Sequence, residues 1–155
     1  MIRGVLMIRG VLGLIAVTGA LAGCSSAVDV TVPSAAGSAA CAAAAREWPS
    51  DVSGLAVVTT SPSSPAVRAW GDPSVIARCG VAEPGPSTDC LTVDDVDWVV
   101  TQLSDGARFV TFGRSPALEV LVPSVHAAPG NEGSLLPVFS AAARALPATG
   151  RACSG

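Results

Sequence analysis

Lysine and tyrosine are absent from this 155-residue chain, histidine occurs once, and only 14% of the residues are charged. All nine cations are therefore arginines, set against twelve acids for a net charge of −3. Few groups remain that shuttle protons or activate a nucleophile near neutral pH, which argues against most enzyme mechanisms. A chain of net negative charge also lacks the basic footprint that phosphate contacts demand, so no nucleic-acid partner is expected. Half of the residues are hydrophobic, chiefly Ala and Val, yet no run approaches the roughly 20 apolar residues of a bilayer-spanning helix. The length allows one domain.

What is present begins with an address. Residues 1–12 read Met-Ile-Arg-Gly-Val-Leu twice, a duplication without folding logic, so either Met1 or Met7 can be the start. Either start leaves an arginine ahead of an apolar run from Val11 to Ala22, the pattern of a secretory signal peptide over residues 1–23. The run ends in Leu21-Ala22-Gly23-Cys24, a lipobox, in which small residues enter the peptidase cleft and only a thiol can carry the thioether lipid. Ala20-Leu21-Ala22 also satisfies ordinary cleavage. Cysteine arithmetic favours the lipobox: of five cysteines, lipidation of Cys24 leaves an even set of four, suited to an oxidising compartment. Removing residues 1–23 takes Arg3 and Arg9 from the nine cations and none from the twelve acids, so the net charge moves from −3 to −5. An acidic exported domain gains nothing from anionic lipid, so acylated Cys24 is expected to hold the chain on the outer face of the cell membrane.

Residues 24–37 are small and polar and read as a lipid-anchored flexible tether with a reach of about 20 Å, although Val28, Val30 and Val32 alternate as an edge strand would. From residue 38 to 155 a single α+β domain is expected. Ser38 is a good N-cap, with Cys41, Ala44, Ala45 and Trp48 on one helical face and Pro49 as the stop. A second helix is expected after Ser134, with Pro137 in its first turn and Leu135, Phe139, Ala142 and Leu146 as its buried stripe. Between them lie strand-like runs at 55–60, 66–70, 75–79, 96–102, 108–113 and 117–122. The economical arrangement is an antiparallel sheet of about four to six strands with both helices on one face.

Cys41, Cys79, Cys90 and Cys153 are expected to form two disulfides, and four cysteines allow three pairings. Cys79 and Cys90 flank a Pro- and Gly-rich loop, and Cys41 and Cys153 lie near the two ends of the domain, so the favoured pairing is Cys79–Cys90 with Cys41–Cys153. No C-x-x-C spacing points to zinc, and no cofactor is expected.

In the middle of the chain Ala69-Trp70-Gly71-Asp72-Pro73, Ala77-Arg78-Cys79-Gly80-Val81, Val96-Asp97-Trp98, Thr111-Phe112-Gly113-Arg114-Ser115-Pro116 and Glu119-Val120-Leu121-Val122-Pro123 occur in that order. Together they resemble the actinobacterial lipoprotein family called domain of unknown function 3515, over roughly three-quarters of the chain. The resemblance implies a small exported or membrane-anchored protein and supplies no mechanism. Asp94-Asp95 departs from the Val-Asn-Gly-like turn usual there.

Few residues are left to carry chemistry. Asp94, Asp95 and Asp97 lack the central Gly and bidentate Glu of a calcium loop and read as a strand-entry turn. His126 follows the last strand, and no G-x-S-x-G accompanies it. Trp70 and Asp72 in one turn and Arg114 in another, with Asp97, combine residue types found at binding hot spots and form the candidate interaction surface, although a Trp beside Gly and Pro also fits a cap on the core at a strand end, the reading its surroundings favour. The expectation is a non-catalytic envelope module with a membrane or envelope protein as partner; the alternative is a small cell-wall hydrolase using His126 with an acid.

Overall fold

A computed structural model describes residues 26–153. In chain order it contains β1 (Val28–Asp29), α1 (Ala39–Ala45), β2 (Asp51–Val52), β3 (Leu55–Val58), β4 (Thr60–Ser61), β5 (Val67–Trp70) and β6 (Val75–Val81). Then follow β7 (Cys90–Val93), β8 (Val96–Leu103), β9 (Gly106–Phe112), β10 (Ala117–Pro123), a 3-10 segment over Glu132–Phe139 and α2 (Ser140–Arg144). The fold is α+β, built on an eight-stranded antiparallel sheet of order β2-β3-β5-β6-β10-β9-β8-β7. This is larger than the four to six strands expected, because β2 and β7, of two and four residues, extend both ends. Elements that short carry too few alternations to show a period. Among the described residues no helix is long and apolar enough to cross a membrane.

Ser38 caps α1 as expected, its hydroxyl accepting the Cys41 N–H at 3.2 Å. The second helix begins differently. The 3-10 turns start at Glu132 without a side-chain cap, Pro137 lies within them, and only the last five residues are α-helical. The buried stripe is nevertheless the one foreseen, with Leu135, Phe139, Ala142 and Leu146 all inside.

On the helix-bearing face the core is aromatic. Trp70 meets Trp48 edge-on at 6.4 Å between centroids and Phe139 at 5.4 Å. Two indoles donate to backbone carbonyls, Trp48 to Pro65 at 2.9 Å and Trp70 to Pro49 at 3.2 Å, whereas the buried Trp98 N–H has no hydrogen-bond partner among the described residues. Val75, Ala77 and Cys79 from β6 and Leu118, Val120 and Val122 from β10 complete this face by strict alternation.

Part of the expected tether is a strand, β1. Val28 and Asp29 pair in parallel with Thr60 and Ser61 of β4, so the edge-strand alternation that begins at Val28 is the one used. The chain then runs past β6, where Ala35 N–H donates to the Gly80 carbonyl at 3.3 Å. Gly80 is required here. It has φ +109°, and a Cβ on it would lie 2.4 Å from the Ala36 backbone nitrogen. The register of β6 against β10 also slips at this point, with Cys79 opposite Leu118 and Val81 opposite Ala117.

The disulfides pair differently from the favoured expectation. They join Cys41 to Cys79 and Cys90 to Cys153, with Cα separations of 5.5 and 5.8 Å. The reason is topological. β6 and β7 are separated in the sheet by β10, β9 and β8, and the registers put Cys79 on the helix-bearing face and Cys90 on the other. Cys79 therefore meets α1 above it, and Cys90 meets the C-terminal tail returning below. In the chain-entropy picture, bridges closing 38 and 63 residues are each worth about 4 kcal/mol.

Candidate functional site

The residues singled out in the sequence do not converge. Trp70 is fully buried at the centre of the aromatic core, so it is a packing residue and not a displayed anchor. Asp72 sits at the β5–β6 turn, lining a surface hollow with Val28 and Val58. Arg114 neither reaches Asp72 nor Asp97. Its Nη1 donates to the Leu146 carbonyl at 2.8 Å and, more weakly, to Arg144 at 3.5 Å, closing the end of α2 where carbonyls lack helical partners.

Asp97 ties two chain segments together. One carboxylate oxygen accepts the Thr92 hydroxyl at 2.6 Å across the β7–β8 hairpin, and the other accepts the Cys153 N–H at 2.7 Å. It thus positions the tail whose cysteine bonds to Cys90. Asp94 and Asp95 form the two-residue turn of that hairpin with φ of 50° and 61°, the left-handed pair that Asn-Gly usually supplies. Their strain is offset by α2: Ser140 Oγ donates to the Asp94 carboxylate at 3.1 Å and Arg144 to its carbonyl at 3.0 Å. His126 Nε2 donates to the Pro73 carbonyl, fastening the loop after β10 to the β5–β6 turn.

One charged cluster escaped sequence reasoning. Glu119, in the middle of β10, is fully buried, and its two oxygens accept Arg78 Nε from β6 and Arg108 Nε from β9. The register sets Glu119 directly opposite Arg78, with Arg108 on the other neighbour opposite Leu121, two residues along and so on the same face. In the sequence Glu119 looks like the solvent side of an alternating strand, and only the strand order reveals the arginines on either side. With both oxygens engaged by guanidinium groups, the carboxylate is a structural acceptor, not a base.

The C-terminal tail completes this face. Arg151 lies over the Phe112 ring at 4.6 Å and pairs with Glu83 at 3.2 Å. Glu83 also accepts the Gly113 N–H at 2.8 Å and the Thr149 hydroxyl at 3.1 Å. Gly113 admits the tail, because a Cβ there would lie 2.1 Å from the Arg151 carbonyl oxygen. Among the described residues no group of three or more His, Cys, Asp or Glu is arranged to hold a metal ion. Cys24 lies outside the described residues.

The class this geometry defines is a two-disulfide α+β domain of an oxidising, extracytoplasmic compartment, whose titratable side chains mostly serve as ties between segments. The chain belongs to the family described as Protein of unknown function (DUF3515), whose model matches residues 1–150. No curated protein and no solved structure matches it significantly.

Proposed function

We propose that this protein is a lipid-anchored envelope module, held on the outer face of the cell membrane by acylated Cys24, that binds or supports a partner and has no catalytic activity of its own. The observation that carries the anchor is the use of the other four of the five cysteines in two bridges. Cys24 is then the remaining thiol, and it stands at the end of the lipobox. The non-catalytic half rests on occupancy. A hydrolase built on His126 needs the ring free and an acid beside it, whereas its Nε2 is committed to a backbone carbonyl and Glu119, Asp97 and Asp94 are each engaged elsewhere.

The test is metabolic labelling with a palmitate analogue in an actinobacterial host, comparing wild type with Cys24→Ser. Label on the wild type alone supports the anchor; label on both, or a soluble wild-type product, overturns it. His126→Ala in the same host addresses the second half. An unchanged phenotype supports a binding module, and loss of the phenotype with the protein folded and still at the membrane restores the hydrolase.

A further inference from the structure

The sheet has one end that is left open. β8 runs to Leu103, but β7 pairs with it only as far as Val99, and the last contact in that lane is Val100 N–H donating to the Asp89 carbonyl at 2.8 Å. Before Asp89 the chain bends at residues 88–89 and leaves the ladder, with Ser87 on the rim of the hollow beside Gln102 and Pro84-Gly85-Pro86 ahead of it, where the prolines have no N–H to give a strand. In an antiparallel strand the N–H and C=O of every second residue face the same neighbour. Those of Gln102 therefore face the same open lane as Val100. Thr101, Gln102 and Leu103 are all exposed, with Leu103 at 42%.

A concavity lies on each side of this open edge. The outer one, of about 550 Å³, is lined by Asp89, Val99 and Thr101. The inner one, of about 330 Å³, lies beneath the 3-10 segment and is lined by Leu91, Val100, Gln102, Phe109 and Glu132. Glu132 is only 3% exposed, and its carboxylate has no hydrogen-bond or ion-pair partner among the described residues. Its oxygens open onto the hollow, which no cation lines, and so favour a cationic guest. An added strand sends alternate side chains to opposite faces, one set into each hollow.

We propose that this edge captures a short extended segment of a partner protein by strand addition, with an Arg or Lys side chain of that segment entering the inner hollow to meet Glu132. The main chain of the segment pairs with Gln102, its cation pairs with Glu132, and its flanking apolar side chains rest on Leu91, Val100 and Phe109. Charge complementarity selects this occupant over a second copy of the chain, because both hollows carry a carboxylate and neither is lined by a cation. This rests on the binding-module reading above. The palmitate and His126 tests can succeed while this one fails, so the two are separable.

The experiment uses the full-length protein in detergent micelles and fluorescein-labelled, capped heptapeptides, read by fluorescence anisotropy. The probe is Thr-Val-Thr-Arg-Thr-Val-Thr, with citrulline replacing Arg in the control. The wild type is expected to bind the Arg peptide saturably and the citrulline peptide about tenfold or more weakly, the scale of one charge-assisted hydrogen bond. Glu132→Gln should abolish that preference. Gln102→Pro, whose lost N–H faces the open lane and not β9, should weaken both peptides by removing the main-chain donor, with an unchanged circular-dichroism spectrum showing that β8 and β9 still pair. Equal binding of the two peptides, no saturable binding, or a preference that survives Glu132→Gln overturns the proposal. So does a dimer that Gln102→Pro dissociates, since the edge is then occupied by a second copy.

Discussion

On the helix-bearing face of the sheet, Trp70, Phe109 and Leu118 pack with Leu136 and Phe139 in an apolar layer that Cys41–Cys79 staples from above. On the opposite face, Glu119 sits between Arg78 and Arg108, and irregular chain closes round it. The N-terminal segment passes Arg78 and Gly80, and the C-terminal tail is held by Asp97, Glu83 and Cys90–Cys153. The first face is stabilised by area removed from water and tolerates inexact geometry. The second depends on particular atoms at particular distances, so its elements fail one by one. The comparison teaches why a protein with so few charges keeps several of them as ties between segments.

Substitutions can break this contrast in order of expected size. Trp70→Ala should be the most damaging, costing about 3–5 kcal/mol for a fully buried indole, read as the fall in the denaturation midpoint of the oxidised protein. An undisturbed melting temperature would mean that Trp70 is displayed after all. Next comes Glu119→Leu, expected to cost about 3 kcal/mol because two guanidinium groups lose their shared acceptor. Combining it with Arg78→Met and Arg108→Met should recover most of that loss, since an apolar trio on a sheet face has no unpaired charge. If the triple variant is no better than the single one, the cluster does more than satisfy itself.

Smaller effects sharpen the role of the two covering segments. Gly80→Ala and Gly113→Ala should each cost about 1–3 kcal/mol through positive φ and collision with a passing backbone. Hydrogen exchange should show the loss locally, near residues 28–37 for the first and 148–153 for the second. Uniform exchange across the sheet would contradict the idea that these segments are separate covers. Arg151→Ala is expected to be mildest, about 0.5–1 kcal/mol, because its cation–π contact and its ion pair with Glu83 are partly solvated. High salt should shrink that difference further.

Legibility followed the same division. The Ser38 cap, the Cys41–Ala44–Trp48 stripe and the alternation of Leu118, Val120 and Val122 belong to the apolar face, where periods of 3.6 and 2 write burial directly into the sequence. Glu119 could not be read, since its partners lie 41 and 11 residues before it in sequence and meet it only once β6, β10 and β9 are adjacent. Trp70 stays open between core and surface in the sequence because a Trp beside Gly and Pro fits either, and the deciding facts are Pro49 and Phe139 on distant elements. The cysteine pairing failed for a related reason. Flanking a loop suggests a hairpin mouth, but which face of a sheet a cysteine occupies depends on registers that no local signal carries.

The two-faced arrangement is tested most directly by mapping the disulfides of the oxidised protein without reduction. Trypsin alone leaves Cys79 and Cys90 on one peptide, because no arginine lies between them, so a second cut on the N-terminal side of Asp89 is needed. The expected products are one peptide pair joining Cys41 to Cys79 and another joining Cys90 to Cys153. A fragment in which Cys79 is bonded to Cys90, or Cys41 to Cys153, would put both cysteines of a bridge where this sheet order cannot bring them together and would contradict the account.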